Sequence, residues 1–121
     1  MAKKILFVDD EPDIVMMVEM RIKASGFDVV TGNSGQEAID LAKEHKPDLI
    51  ILDVMMPAPN GFQVCRTLKD DPEFKDTPII FLTAKTTDSD QFWGVEAGAN
   101  DYMTKPYNIE DLMTKIKGFL N

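Results

Sequence analysis

Residues 47–61 read PDLIILDVMMPAPNG, and they predict the central element of the fold. Its apolar run, LIIL at 49–52, stops at a single carboxylate, Asp53, and continues into a loop that contains two prolines and a glycine. A short apolar run bounded by turn residues is typical of a strand that is buried on both faces of a parallel sheet. Such sheets place their functional groups just beyond the carboxyl ends of their strands. We therefore predict that Asp53 is the reactive group at the end of a central strand.

Further short apolar runs alternate with helical patterns along the whole chain. The predicted strands span residues 4–8, 27–31, 49–52, 78–82 and 100–104. The predicted helices span residues 13–25, 35–45, 62–68 and 88–97, and a last helix follows Asn108. Ser34 and Glu37 predict a capping box at the start of the second helix. The alternation predicts an α/β fold, with a parallel sheet and helices on both of its faces.

The composition limits the class of protein. With 121 residues, of which 44% are hydrophobic, the chain is expected to form one domain over residues 1–121. The net charge of -8 argues against direct binding to nucleic acid, which requires a basic patch. A lone cysteine, Cys65, allows no intrachain disulfide, and the N-terminal apolar run is too short for a signal peptide or a membrane span. We therefore expect a cytoplasmic protein without membrane contact.

The first predicted helix carries more apolar residues than one sheet-facing stripe can bury. They are Ile14, Val15, Met16, Met17, Val18, Met20 and Ile22. Some of these side chains are expected to be exposed or to contact a partner, although packing of a flexible methionine against the sheet is the alternative at any single position.

Four of the five predicted strands are followed directly by a polar or charged residue. Asp9 and Asp10 follow the first strand, Asp53 the third, Thr83 the fourth and Lys105 the fifth. Parallel strands end at one sheet edge, where three carboxylates would repel one another by roughly 4 kcal/mol per pair at about 4 Å. Cations must balance this charge, and oxygen ligands without His or Cys favour Mg²⁺, with Mn²⁺ as a substitute. The combination suits phosphoryl transfer to a carboxylate.

Four motifs, in order along the chain, resemble those of the receiver domain of two-component response regulators. They are VDDE at 8–11, LDVMMP followed by NG at 52–61, LTAK at 82–85 and AGANDYMTKP at 97–106. The resemblance, which is of the chemotaxis-regulator type, covers essentially the whole chain. It implies a flavodoxin-like, doubly wound sheet with strand order 2-1-3-4-5. It also implies a phosphoprotein of a phosphorelay rather than an enzyme, apart from self-phosphorylation and autodephosphorylation.

The resemblance implies a role for each motif residue. Asp53 is expected to accept the phosphoryl group, while Thr83 and Lys105 contact the transferred group. A magnesium ion is expected to be held by Asp9, Asp10, Asp53 and the backbone carbonyl of Met55. Tyr102 matches an aromatic switch that moves inward with Thr83, and the bond between Lys105 and Pro106 is expected to be cis.

Two surfaces are predicted to bind partners. Ile14 and Met17 match positions at which receiver domains dock a sensor histidine kinase or a phosphotransfer protein. The fourth predicted helix, the fifth strand and the last helix are expected to form the surface that controls an output partner or an attached output domain. Candidate residues there are Trp93, Asp101, Tyr102, Pro106 and Lys115. We expect a monomer, and dimerisation on phosphorylation remains an open alternative.

Three other functions share part of this pattern. A flavodoxin-like nucleotide binder cradles phosphate with Ser, Thr or Gly amides in its first loop, where this chain has DDEPD. A magnesium-dependent aspartyl phosphatase of the haloacid-dehalogenase type needs a second Asp two residues after the nucleophile, where this chain has Met55. A degenerate receiver would serve only as a protein-interaction scaffold, and the complete set of motif residues argues against it.

Overall fold

The computed structural model describes residues 2–83 and 98–120. The strands are β1 (Lys4–Val8), β2 (Asp28–Gly32), β3 (Leu49–Asp53), β4 (Ile79–Thr83) and β5 (Asp101–Thr104). The described helices are α1 (Pro12–Ala24), α2 (Gly35–His45), α3 (Gly61–Lys69) and, at the C-terminal end, α4 (Ile109–Leu120). These bounds lie close to the predicted ones, and the helix predicted at 88–97 falls outside the described residues. In the described part of the chain, no helix has the length and apolarity needed to cross a bilayer.

All five strands are parallel, and their order is β2-β1-β3-β4-β5. This confirms the order that the resemblance implied. β3 lies between β1 and β4, and every one of its residues is buried, including Asp53. In the register, Leu52 lies beside Val8 of β1 and Phe81 of β4. The apolar run at 49–52 is therefore the centre of the sheet, and Asp53 after it reaches the carboxyl edge.

The sheet separates two apolar cores, because successive side chains of a strand point to opposite faces. Leu6, Ile50 and Leu52 lie in the core that also contains residues of α2 and α3. Their sequence neighbours lie in the other core, which contains residues of α1 and α4. Helices on both faces confirm the doubly wound prediction.

Local hydrogen bonds explain where α2 and α3 begin. The backbone N–H of Glu37 donates to Ser34 Oγ at 3.2 Å, as predicted for an N-cap. The Glu37 carboxylate, however, accepts from the N–H of Asn33 at 3.0 Å, one residue earlier than in a capping box. A complete capping box instead starts α3, between Asn60 and Gln63. The sequence NGFQ at 60–63 carries this signal.

α1 exposes part of its apolar surface, as its composition predicted. Its buried residues are Val15, Val18 and Ile22. Met16, Met17 and Met20 are 62%, 48% and 66% exposed, respectively. Ile14 is partly buried and packs against the core beneath the helix.

Candidate functional site

Three carboxylates meet at the carboxyl edge of the sheet. Asp9 follows β1 and Asp53 ends β3, and these two strands are neighbours. Oxygen atoms of Asp9, Asp10 and Asp53 all lie within 4.8 Å of one another. Asp9 is 0% and Asp53 3% exposed, whereas Asp10 is exposed to solvent. The cluster is therefore buried on one side and open to solvent at Asp10.

Lys105 supplies a cation between the two buried carboxylates. Its Nζ donates to Asp9 Oδ2 at 2.9 Å and to Asp53 Oδ2 at 3.1 Å, although these residues are 96 and 52 positions away in the sequence. The backbone N–H of Lys105 donates to the carbonyl of Thr83 at 2.7 Å, which anchors the end of β5 against β4. The bond between Lys105 and Pro106 is cis, as expected from the resemblance.

Asp9 and Asp53 have the same hydrogen-bond pattern. In each residue Oδ1 accepts from the backbone N–H two residues ahead, that of Glu11 or of Met55, at 3.0 Å. In each residue Oδ2 accepts from the shared Lys105 ammonium. Charge-assisted hydrogen bonds of this kind fix the orientation of both carboxylates. The side chain of Met55 is 70% exposed, so this residue contributes its backbone N–H to the site while its side chain faces solvent.

Burial raises the pKa of Asp53 above its ordinary value of 3.8, and the negative charge of Asp9 adds to this rise. The N–H of Met55 and the Lys105 ammonium act in the opposite direction but do not cancel it. Burial would lower the pKa of Lys105, but its hydrogen bonds to Asp9 and Asp53 outweigh burial and raise that pKa. Lys105 is therefore a permanent cation at neutral pH, and the charge on Asp53 carries an energetic cost.

Thr83 ends β4 at the same edge and is 6% exposed. Leu82 lies beside Asp53 in the register, so Thr83 stands one residue beyond the carboxylate on the neighbouring strand. In the register, Thr83 pairs with Thr104 of β5, the residue before Lys105. The structure thus brings Asp9, Asp10, Asp53, Thr83 and Lys105 to one edge, as the sequence predicted.

Glycines shape the loop after β3 by allowing close backbone approach. A methyl group on Gly61 would lie 2.7 Å from the carbonyl oxygen of Asp53, and one on Gly35 would lie 1.8 Å from that of Pro59. Neither contact is possible for a side chain, so both positions require glycine. The NG pair at 60–61 therefore holds the start of α3 against the site. In the sequence, this pair is a turn signal and the end of the motif at 52–61.

The predicted switch and partner residues lie around the site. Tyr102, on β5, is 40% exposed, and its backbone pairs with Phe81 of β4. Lys115 Nζ of α4 donates to Asp101 Oδ2 at 2.8 Å, which ties α4 to the start of β5. Pro106 is exposed. Trp93 lies outside the described residues.

The donor set of the acidic cluster fits a hard divalent cation. All three residues offer carboxylate oxygens, and neither His nor Cys belongs to the cluster among the described residues. Mg²⁺ prefers such ligands and keeps several waters, for which the exposed Asp10 side leaves room.

Cys65 lies apart from the cluster in the α3 core, where burial raises the pKa of its thiol to about 11. It is a structural residue.

Tyr107, which the sequence motifs did not single out, interacts electrostatically with Asp9, Asp53 and Lys105. It follows Lys105 by two residues, and its ring packs against the core between the sheet, α1 and α4. Its hydroxyl oxygen is buried and has no hydrogen-bond partner in the described part of the chain. The only sequence signal was a hydroxyl-bearing aromatic residue directly after the Lys-Pro pair.

The chain is similar to curated and solved response regulators. It is 44% identical over 120 residues to the alkaline phosphatase synthesis transcriptional regulatory protein PhoP of Bacillus subtilis (strain 168), an alignment that covers 99% of this chain and 49% of PhoP. The chain thus spans about half the length of that relative. Chemotaxis response regulator CheY4 of Vibrio cholerae superposes with a TM-score of 0.93 at 33% identity, covering 98% of this chain and 99% of CheY4.

A second solved structure has the same fold in a form bound to beryllofluoride. The BeF3-activated N-terminal receiver domain of Klebsiella pneumoniae RstA superposes with a TM-score of 0.88 at 30% identity, covering 98% of this chain and 99% of that domain. The family model of the response regulator receiver domain matches residues 5–117. Sheet order, acidic cluster, shared lysine and these similarities together show that the chain belongs to the response regulator receiver domain family of two-component signal transduction.

Proposed function

We propose that Asp53 accepts a phosphoryl group from a phosphohistidine of a sensor histidine kinase or a phosphotransfer protein. The observation that carries this proposal is the Lys105 ammonium, which bridges Asp9 Oδ2 and Asp53 Oδ2 at the open edge of the sheet. It holds Asp53 in a fixed orientation beside two further carboxylates. A carboxylate whose surroundings contain both a fixed cation and a metal-binding acid cluster suits in-line phosphoryl transfer.

The reaction forms a bond between a carboxylate oxygen of Asp53 and phosphorus and breaks the bond between phosphorus and the donor imidazole nitrogen. The imidazole leaves with the bonding electron pair. Lys105 offsets negative charge on the phosphoryl oxygens, because its Nζ already lies 3.1 Å from Asp53 Oδ2. The N–H of Met55 holds the other oxygen of Asp53 in place. Thr83 offers a hydroxyl on the adjacent strand.

Asp9, Asp10, Asp53 and the backbone carbonyl of Met55 would hold Mg²⁺, or Mn²⁺ in its place. When bound, the ion supplies positive charge that neutralises the phosphoryl oxygens. Without a second cation, the cluster has three carboxylates and one ammonium, which leaves it with excess negative charge. The donor set therefore favours binding of a divalent cation before the phosphoryl group arrives.

The product is a changed protein surface rather than a released molecule. The added charge beside Asp53 gives the Thr83 hydroxyl a new acceptor, and Tyr102, which is 40% exposed, can move inward with it. Asp101 and Lys115 join β5 to α4 beside this position. We place the output surface there, and we place docking of the phosphoryl donor on α1 at Ile14 and the exposed Met17. We also propose that this surface controls an output partner or an attached output domain.

Incorporation of phosphate tests this function directly. Incubation with ³²P-labelled acetyl phosphate and Mg²⁺ is expected to give a hydroxylamine-labile label in the wild type and none in Asp53→Asn, because an amide cannot form the acyl phosphate. Asp40→Asn, a change of the same type at an exposed position of α2, should be labelled like the wild type. Equal labelling of Asp53→Asn and the wild type would show that Asp53 is not the acceptor.

Mg²⁺ is expected to stabilise the wild type by mass action, by about 1.4 kcal/mol at a concentration tenfold above its Kd. Asp10→Asn should weaken the affinity, because ligand charge tunes divalent-cation binding. Asp13→Asn is the matched control, since Asp13 is an exposed acid of α1 outside the cluster. Thermal unfolding with MgCl₂, against NaCl of equal ionic strength, measures the effect. An unchanged Mg²⁺ shift in Asp10→Asn would remove Asp10 from the metal site.

Two of the three other functions, the aspartyl phosphatase and the scaffold, are less well supported. An aspartyl phosphatase needs an acid or base two residues after the nucleophile, and this position holds the thioether of Met55, which is 70% exposed. A scaffold without phosphorylation would not require the paired hydrogen bonds that Lys105 makes to buried carboxylates. Phosphoacceptor activity uses all of these residues, which is why we favour it.

A further inference from the structure

Helix α1 has a second apolar face, which the fold does not cover. Its buried stripe packs against the sheet. Because an α-helix turns by about 100° per residue, the opposite side of α1 carries three exposed methionines, Met16, Met17 and Met20. Among the described residues, three of the six large apolar side chains that remain exposed lie on this one helix. Such a concentration marks an interaction surface, whereas apolar residues scattered singly over a surface do not.

Charged residues flank the methionines at both ends. Asp13 lies four residues before Met17 and Arg21 four residues after it, and all three line one open groove with Met16 and Met20. We call these five residues the outer face of α1. The outer face has an acidic N-terminal end, an apolar centre and a basic C-terminal end. At 1.5 Å of rise per residue, the two charged residues lie about 12 Å apart along the helix axis.

This charge pattern is complementary to itself when two copies of α1 pair in antiparallel orientation. A two-fold axis beside Met17 places Asp13 of each copy opposite Arg21 of the other, since both residues lie four positions from the axis. The apolar centre of each copy then covers that of the other. Antiparallel pairing also brings opposite ends of the two helix dipoles together. Contact of one patch with the same patch on a second copy is the usual geometry of a dimer.

Both charged residues are accessible for this contact. Asp13 is exposed, so its carboxylate can be reached from a second copy. Arg21 forms an ion pair with Glu110 of α4 in its own copy, yet its side chain is 37% exposed. A guanidinium group has five N–H donors, so Arg21 can bind a second carboxylate and keep the first.

We propose that the outer face of α1 binds a second copy of this chain, in antiparallel orientation about a two-fold axis at Met17. We favour a second copy over an unrelated helix because α1 itself carries the complementary charges at the required spacing. Three methionines per copy form a small interface, below about 1,200 Å² in total, which is typical of weak and transient complexes. The monomer expected from the sequence is therefore the state at low concentration. Met17 also belongs to the surface proposed for the phosphoryl donor, so the dimer and the donor complex exclude each other.

The oligomeric state as a function of concentration tests this interface. Sedimentation from micromolar to millimolar protein, at physiological ionic strength to screen the charge of -8 on each copy, should give a wild-type mass that rises towards twice that of the monomer. Met17→Glu should stay at the monomer mass, because the two-fold axis would bury two carboxylates together. Gln36→Glu adds the same charge at an exposed position of α2, on the other face of the sheet, and should associate like the wild type.

Reversal of the two charges tests the antiparallel arrangement separately. Asp13→Arg and Arg21→Asp should each weaken association roughly fivefold, because each change brings like charges together across the interface. The two changes combined in one chain should restore the affinity to within about twofold of the wild type, since opposite charges face each other again. All of these substitutions lie at residues with exposed or partly exposed side chains, and melting temperatures verify that each variant is folded.

Three results would overturn the inference. A wild type that stays monomeric over the whole range would leave the outer face to a helix of another protein. Association that Met17→Glu does not weaken would place the dimer interface elsewhere. A double variant that associates no better than the two single variants would exclude the antiparallel pairing. These measurements use the unphosphorylated protein alone, so each of these results leaves the proposed function intact, and failure of acetyl phosphate labelling would leave the dimer intact.

Discussion

Replacing Lys105 by methionine is expected to destabilise the free protein by about 3 kcal/mol, because it removes one partner of a largely buried ion pair. Asp9 and Asp53 side chains are 0% and 4% exposed, so neither carboxylate can recover its lost hydrogen bond from water. The Lys105 side chain is 21% exposed, so we expect a loss of stability at the low end of the range for buried ion pairs. Denaturant unfolding at pH 7 measures the loss.

The same change is expected to slow phosphorylation by acetyl phosphate roughly 100-fold, because it removes a positioned charge from the transition state. Mg²⁺ should restore part of the stability, since a divalent cation can replace the missing charge among the carboxylates. The destabilisation should also shrink at low pH, where Asp53, whose pKa is raised by burial, becomes protonated.

Lys115→Met is the matched control for this prediction. It removes a lysine whose ammonium lies at a similar distance, 2.8 Å, from its carboxylate partner, Asp101. The side chains of this pair, however, are 33% and 31% exposed. Such a surface pair is worth less than about 1 kcal/mol. A Lys105→Met protein that is no less stable than Lys115→Met would contradict the role of Lys105 as the counter-charge of the site.

Replacing Asp53 by asparagine is expected to abolish phosphorylation and at the same time to stabilise the free protein at pH 7, because it removes a charge that burial disfavours. Burial and the charge of Asp9 raise the pKa of Asp53, so its ionised form is disfavoured in the folded state. Asparagine occupies the same volume without the charge. The proposed phosphoacceptor therefore lowers the stability of the fold that carries it.

The pH dependence of stability distinguishes this explanation from a packing effect. A raised pKa means that the folded protein binds a proton to Asp53 more tightly than the unfolded chain does. The stability of the wild type therefore falls as the pH rises from the ordinary value of 3.8 through the raised pKa. The gain in Asp53→Asn should appear above this window and vanish below it.

Two controls accompany the measurement. Asp40→Asn, on the exposed face of α2, should change neither the stability nor its pH dependence measurably. The raised pKa of Lys105 lies above its ordinary value of 10.5, so loss of its charge affects stability only in alkaline solution and does not enter this window. A gain in Asp53→Asn that is the same at pH 3 and pH 7 would argue against the electrostatic explanation.

Most secondary structure followed from local patterns. The apolar run at 49–52 gave a buried central strand, β3, because continuous burial requires a strand covered on both faces. The hydrogen bonds that cap the helices could be predicted less completely from the sequence. Ser34 caps α2 as predicted, but the second half of its capping box is made with Asn33. The exact path of the backbone before a helix decides which N–H a carboxylate reaches, and residue types alone do not reveal that path.

The sequence by itself determined which residues stand at the strand ends, because period and burial within each segment are local properties. It therefore placed Asp9, Asp10, Asp53, Thr83 and Lys105 at one edge of a parallel sheet. The tertiary structure alone decided how these residues interact, because distances between atoms far apart in the chain depend on the packing of the whole domain. It decided that Lys105 is shared between two carboxylates that are 96 and 52 residues away. It also decided that the Tyr107 hydroxyl is buried and has no hydrogen-bond partner among the residues that the structure describes.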